Sequence, residues 1–273
     1  MAIPVIESVT TATAVSLATD LTVAYPSSIA AGDLLLVVVV NDEKNIATAL
    51  YDDSTNKPTG FTLINESGND YSDSHVAAFY KVAAGTETGN FTIPCVSSNA
   101  NTGTCGWCFR ISGAHGSSPL DVTGADSQST SSYNLTDLDL ASCTTTENDC
   151  LAFGVACFDG GDGYNFTITG TGWTKESELT EDVADTDTAS GVVSTKDMAT
   201  AGATGVCTVA GSVLDGISGF TFAIAPVEII GTVDAVLPDI TLDIYAGSIG
   251  VGGGGNTIVG TNMIAMQLGV PPL

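Results

Sequence analysis

Seven consecutive apolar residues, Leu34-Leu35-Leu36-Val37-Val38-Val39-Val40, follow the turn pair Gly32-Asp33. The run is far too short to cross a bilayer, which takes about 20 apolar residues. Four β-branched valines, with no helix start or stop signal among them, predict a strand. The run does not alternate with polar residues, so the strand is expected to be buried on both faces. The same form returns later, where Asn148-Asp149 precede Cys150-Leu151-Ala152-Phe153-Gly154-Val155-Ala156.

Downstream of each copy, further segments match in the same order. Gly60-Phe61-Thr62 corresponds to Gly172-Trp173-Thr174. Ala78-Phe79-Tyr80-Lys81 through Gly89 corresponds, more loosely, to Val193-Ser194-Thr195-Lys196 through Gly205. Gly106 to Ser112 corresponds to Gly219 to Ala225. The firmest anchors, Asp33 to Asp149, Gly60 to Gly172 and Gly106 to Gly219, are separated by 116, 112 and 113 residues. Three anchors in one order at nearly one spacing predict internal duplication. β-rich chains share such texture in general, but here an aromatic residue follows glycine in both copies of the last two anchors.

Neither copy sustains a 3.6-residue period. Apolar runs at Ile3–Val9, Val15–Leu17 and Leu21–Tyr25 precede the central strand. Asn41–Lys57 and Asn65–Ser74 read as polar loops, Pro58–Ile64 as a strand entered through a Pro-x-Gly turn, and His75–Val82 as an alternating strand. Ser177–Asp187 is acidic, with too few apolar residues to pack a helix. The expected fold is all-β: two tandem β-sandwich units, jelly-roll or Ig-like, arising from duplication, plus a short C-terminal tail of strand and coil. Each unit has roughly the 110 residues usual for one sandwich. The expected boundaries are 1–115 and 116–226 for the sandwiches and 227–273 for a docking tail, which is too small to bury itself. That tail alternates Asp or Thr with apolar residues over Gly231–Ile244 and is glycine-rich over Gly250–Gly255.

With 31 acidic residues against six basic ones, the formal net charge is -25. Such a chain is expected to bind no nucleic acid, since that binding rests on Lys and Arg neutralising phosphates, and to avoid anionic membranes. It suits a salty medium, although acidity also simply keeps a β-protein soluble. Met1-Ala2-Ile3-Pro4 lacks a basic n-region and no apolar h-region comes after it, so synthesis in a host cytoplasm without a signal peptide is expected.

Seven cysteines do not close a disulfide framework. Cys105 and Cys108 form a C-x-x-C inside a predicted strand, where residues three apart face opposite sides and chelate poorly. Buried, reduced thiols are the favoured reading, with Cys95–Cys105 the one pair able to face across a hairpin. His75 and His115 are the only imidazoles; no Gly-x-Ser-x-Gly turn and no evident pair of catalytic carboxylates accompanies them. A non-enzymatic protein with no cofactor is therefore expected, with Ca²⁺ the one metal to consider. Asp159 and Asp162 lie in the glycine-rich turn Asp159–Asn165, which offers the oxygen donors that calcium takes. The spacing is not that of an EF-hand, and a solvated acidic turn is the commoner use of such a stretch. Tyr51 and Tyr164, in the matching loops of the two units, are the candidates for stacking on a glycan.

Ala31–Leu36, Pro58–Thr62, Tyr80–Glu87, Arg110–Gly113 and Thr144–Leu151, taken in order, resemble a family of tailed-phage and prophage virion structural proteins. Gly231–Pro238 resembles a short module common in phage virion proteins. The resemblance spans about residues 30–240 and rests on turn and core signals. It implies a virion component, either a capsid decoration protein or part of a tail or fibre, with no enzymatic residues to carry over. The implied partners are the major capsid or tail proteins and further copies of the chain, trimers being common in such assemblies. The alternative expectation is a carbohydrate-binding or receptor-binding adhesin module using the polar loops.

Overall fold

The computed structural model describes residues 1–15, 20–42, 56–69, 74–94, 103–128, 135–159, 165–180, 189–214, 216–228, 257–258 and 266–267. In the first half the strands are β1 (Val5–Val15), β2 (Asp20–Ala24), β3 (Leu34–Asp42), β4 (Thr62–Asn69), β5 (Ser74–Val82), β6 (Asn90–Pro94) and β7 (Gly103–Ser112). In the second they are β8 (Leu120–Thr123), β9 (Ser127–Gln128), β10 (Leu135–Leu140), β11 (Cys150–Asp159), β12 (Thr167–Thr169), β13 (Thr174–Thr180), β14 (Ala189–Met198), β15 (Cys207–Leu214) and β16 (Ile217–Ile224). No helix occurs among the described residues, and every strand pairing is antiparallel. The fold is all-β.

Residues 1–229 form one unit. Its first large sheet has the order β1-β7-β3-β5-β4, and its second the order β8-β16-β11-β14-β13, with β9 also pairing β16. Strand for strand the two orders correspond. A smaller sheet accompanies each: β2-β6 in the first half and β10-β15-β12 in the second.

Burial explains the unbroken apolar run of β3, since all seven residues from Leu34 to Val40 are at most 1% exposed. On one face Leu35, Val37 and Val39 join Phe79 and Cys108 in packing against Leu21, Val23 and Ile93 of the β2-β6 sheet. On the other, Leu34, Leu36, Val38 and Val40 join Trp107 and Phe109 in packing against Leu151, Phe153, Val155, Phe220 and Phe222 of the second large sheet. The far face of that sheet carries Ala152, Ala156 and Phe158 against Leu138, Leu140, Cys207 and Val209. The layers therefore run small, large, large, small. The middle core is shared by both halves, and the Phe153 and Phe222 rings stack at its centre, 5.2 Å apart.

The registers correct several sequence expectations. β3 and β11 match best at Leu34 with Leu151, a separation of 117 rather than 116, because both then face the shared core. At this spacing Gly32 aligns with Asp149, and both have positive φ, 91° and 61°. A one-residue slip would turn every side chain to the opposite face. β1 is one continuous strand rather than two short runs. Pro58–Phe61 is a turn closed by Phe61 N–H to the Pro58 carbonyl at 3.1 Å, and β4 extends to Asn69, into the expected loop. Thr174–Thr180 is an edge strand, where its charges suit the exposed rim.

Irregularities recur at matched places. The pairing of β4 with β5 shifts between Leu63 and Asn65, and that of β13 with β14 between Lys175 and Ser177. The pairing of β1 with β7 shifts between Ile6 and Ser8, opposite Ile111 and Arg110; β8 and β16 shift opposite Ile224 and Ala223. Contacts across the shared core are also reciprocal. Ser218 Oγ donates to the Ser74 carbonyl at 2.8 Å, and Cys105 Sγ donates to the Ala189 carbonyl at 3.4 Å. In the matched registers Cys105 stands where Ser218 does and Ser74 where Ala189 does.

Residues 230–273 form the second unit. Its described part is one antiparallel pair, β17 (Thr257–Ile258) with β18 (Met266–Gln267). The alternating stretch Gly231–Ile244 lies outside the described residues.

Candidate functional site

The motifs at the turn end of the first half are structural devices. Asp33 Oδ2 accepts from Ala30 N–H at 2.8 Å and from Arg110 Nε at 2.6 Å, so the Ala-Gly-Asp turn and the Arg-Ile-Ser-Gly exit are two ends of one ion pair. Glu87 accepts backbone N–H bonds from Ala84, Gly85 and Thr86 at 3.0, 2.9 and 3.1 Å and pairs with Lys81 Nζ at 2.9 Å. Burial by itself would raise the Glu87 pKa, but the Ala84 N–H, the Lys81 bond and charge and its own N–H bring it down to about 2. The Tyr80–Glu87 motif is thus a turn folded round its own carboxylate. In the second half Lys196 makes the corresponding bond to the Thr204 carbonyl at 2.6 Å.

Lys175 Nζ bonds Glu178 Oε2 and the Phe166 carbonyl, each at 2.9 Å. Lys81, Arg110, Lys175 and Lys196 are thus all engaged inside the chain.

The described cleft lies where β7 and β16 exit. His115 N–H donates to the Ala225 carbonyl at 3.0 Å and Val227 N–H to the Gly113 carbonyl at 2.7 Å. The cleft encloses about 330 Å³ and is lined by Met1, His115, Leu120, Asp121, Glu147 and Glu228, among others. His115 Nδ1 accepts from the backbone N–H groups of Ser117 and Ser118 at 3.2 and 3.0 Å. The neutral ring therefore carries its proton on Nε2, and Nδ1 is occupied as an acceptor although the Ser117 hydroxyl lies 3.5 Å away. Asp121 accepts from Thr146 N–H at 2.9 Å and from its hydroxyl, which locks the turn before β11. Glu147 and Glu228 are exposed. Asp121, Glu147 and Glu228 thus share the cleft with the Met1 ammonium, which pairs with Asp149 Oδ2 at 3.0 Å.

Three of the buried thiols are held in the protonated form by their surroundings. Burial pushes Cys108 up to about 12. Burial, with the adjoining Asp121 and Glu147, does the same to Cys150. Burial raises Cys207 to about 11 against the lowering bond from Ser194. Cys105 and Cys108 lie on opposite faces of β7, one in the shared core and one against the small sheet.

Of the residues singled out from sequence, Tyr51, Asp162, Tyr164 and Cys95 lie outside the described residues; Asp159 ends β11, with its side chain outside them too. No group of three or more His, Cys, Asp or Glu side chains able to hold a metal occurs among the described residues. Sequence reasoning missed a buried polar row across the first large sheet. His75 pairs Asn41, Asn41 pairs Thr104, and the three are 6%, 1% and 3% exposed. Asn41 Nδ2 donates to Thr104 Oγ1 at 3.0 Å, while its Oδ1 accepts no bond among the described residues. Gly68 makes room for the His75 ring, since a Cβ there would lie 2.0 Å from it. The available signal was the polar pair Asn41-Asp42 closing an otherwise apolar strand. No protein-family model, no curated protein and no solved structure matches the chain.

Proposed function

We propose that this chain is a non-enzymatic structural component of a tailed-phage virion, a capsid decoration protein or part of a tail or fibre, built by internal duplication of one β-sandwich unit. The observation that carries the duplication is the pair of large sheets with corresponding strand order, corresponding bulges and reciprocal hydrogen bonds across the shared core. The virion role rests on the family resemblance of residues 30–240. A stiff four-layer β-body, with the resembling motifs used as turn locks and an acidic surface, fits a passive load-carrying part. Its partners are the major capsid or tail proteins, and it resides in the virion.

Immunogold electron microscopy of particles from the source, with antibody to the recombinant chain, tests this reading. Label spread evenly over heads is the result for a decoration protein, and label at one pole the result for a tail or fibre. Particles without label overturn the virion role and direct attention to glycan binding by the free protein, measured with and without calcium.

A further inference from the structure

Residues 113–119 connect the two halves, from the end of β7 to the start of β8. Backbone hydrogen bonds clasp this connector to the exit of β16. His115 N–H donates to the Ala225 carbonyl at 3.0 Å, Ala225 N–H to the Pro119 carbonyl at 2.8 Å and Val227 N–H to the Gly113 carbonyl at 2.7 Å. The turn inside the connector has little packing to support it. Gly116, Ser117 and Ser118 are exposed, and a Cβ on Gly116 would meet nothing within 4 Å. What holds the turn is the His115 ring, whose Nδ1 accepts from Ser117 N–H at 3.2 Å and from Ser118 N–H at 3.0 Å.

Both bonds need the lone pair on Nδ1. An imidazolium carries N–H on both nitrogens and accepts nothing. Gaining a proton therefore turns Nδ1 from the acceptor of two N–H groups into a donor pointed at them. The charged groups facing the ring come from separate segments. Asp121 of β8, Glu147 before β11 and Glu228 after β16 line the cleft beside it, together with the Met1 ammonium, which pairs with Asp149 Oδ2 at 3.0 Å. Asp121 is committed to Thr146, whereas Glu147 and Glu228 are exposed. Each state of the ring thus has partners: two backbone donors for the neutral form, carboxylates for the charged one.

We propose that His115 is a pH-sensitive latch on the connector between the two halves. Neutral, it holds the turn at 116–118 closed. Protonated, it releases Ser117 and Ser118 and turns to the carboxylates of the cleft, which loosens the connector. Its working range is the one in which imidazoles change charge, about pH 5–8. The halves stay together throughout, because one buried core joins them. The latch stands apart from the virion role, since it concerns the free protein.

Amide hydrogen exchange of the full chain, followed by NMR, tests it. Rates are compared with the intrinsic rate at each pH, so that the direct effect of pH cancels. From about pH 8 to about pH 5.5, protection of the Ser117 and Ser118 amides is expected to fall by about threefold to tenfold, in step with the His115 ring nitrogen signals. Amides of the buried strand β3, such as that of Val38, should keep their protection. His115→Asn places a side-chain oxygen where Nδ1 accepts, and Asn caps the residues just after it in this way. It has no proton to gain, so its turn should stay protected in acid. Met1, His75, Asp121, Glu147 and Glu228 all remain in this variant, and a loss driven by any of them would persist in it. His115→Ala should lack the protection at both ends of the range. Wild-type protection that stays constant while the His115 ring titrates overturns the proposal. So does a His115→Asn chain that loses protection as the wild type does, or ring nitrogen signals at neutral pH that put the proton on Nδ1.

Discussion

The two halves reach the same strand order with different chemistry at matched positions. Where the first half has the Asp33–Arg110 ion pair, the second has Cys150 and Ala223, both fully buried. Where the first half has His75, Asn41 and Thr104 in a row, the second has Ser190, Phe158 and Ile217, all 0% exposed, and packs Phe158 on Phe166 at 4.4 Å. Lys81 closes its turn on a carboxylate, Lys196 on a carbonyl. What stays constant is the placement of bulges and of positive-φ turns such as Gly60 with Gly172 and Gly89 with Gly205. The lesson is that backbone irregularities set the register in this fold, while the side chains filling a matched site are free to be ionic, polar or apolar.

The strongest way to break the comparison is at the shared core. Trp107→Ala removes the largest side chain there and the bond from its indole N–H to Ser177 Oγ, 3.0 Å long. A loss of about 3–5 kcal/mol is expected in urea unfolding, and the matched Phe220→Ala should cost a similar amount. Because one core serves both halves, the wild type should unfold in a single transition. Two separate transitions would show the halves to be independent.

Arg110→Ala leaves the Asp33 carboxylate nearly buried without its cation and should cost about 3 kcal/mol. Combining it with Asp33→Cys, the residues of the second half, should recover most of that loss. An additive result in the double-mutant cycle would refute the idea that the two fillings are interchangeable. Gly191→Ala places a Cβ 2.8 Å from Val40 and 2.9 Å from Trp107. Overpacking of about 1–3 kcal/mol is expected, read as a lower urea midpoint.

The smallest effect concerns the turns. The folded pKa of Glu87 lies near 2, below its ordinary 4.5. A depressed carboxylate contributes stability that is present above pH 4.5 and fades as pH falls through about 2. Glu87→Gln should flatten the acid limb of the stability profile in that window.

Much of the fold was legible in the residues. The apolar run 34–40 announced a strand buried on both faces, the faces of His75–Val82 followed from its alternation, and the anchors at Gly60 and Gly106 named their partners in the second half. The candidate cleft was not legible, because Asp121 comes from a strand, Glu147 from the turn before β11 and Glu228 from the chain after β16, and each looks like an ordinary solvated acid. The polar row was hidden for a similar reason, since His75, Asn41 and Thr104 meet only through strand pairing. By itself the sequence determined the β class, the central strands, the turns and the repeating order of motifs, because these are local patterns of apolar and turn-forming residues. Only the tertiary structure decided that the two large sheets face each other over one core and that the matched central strands are offset by 117. A strand buried on both faces has no polar side to mark its phase, so its facing is set by the layers packed against it.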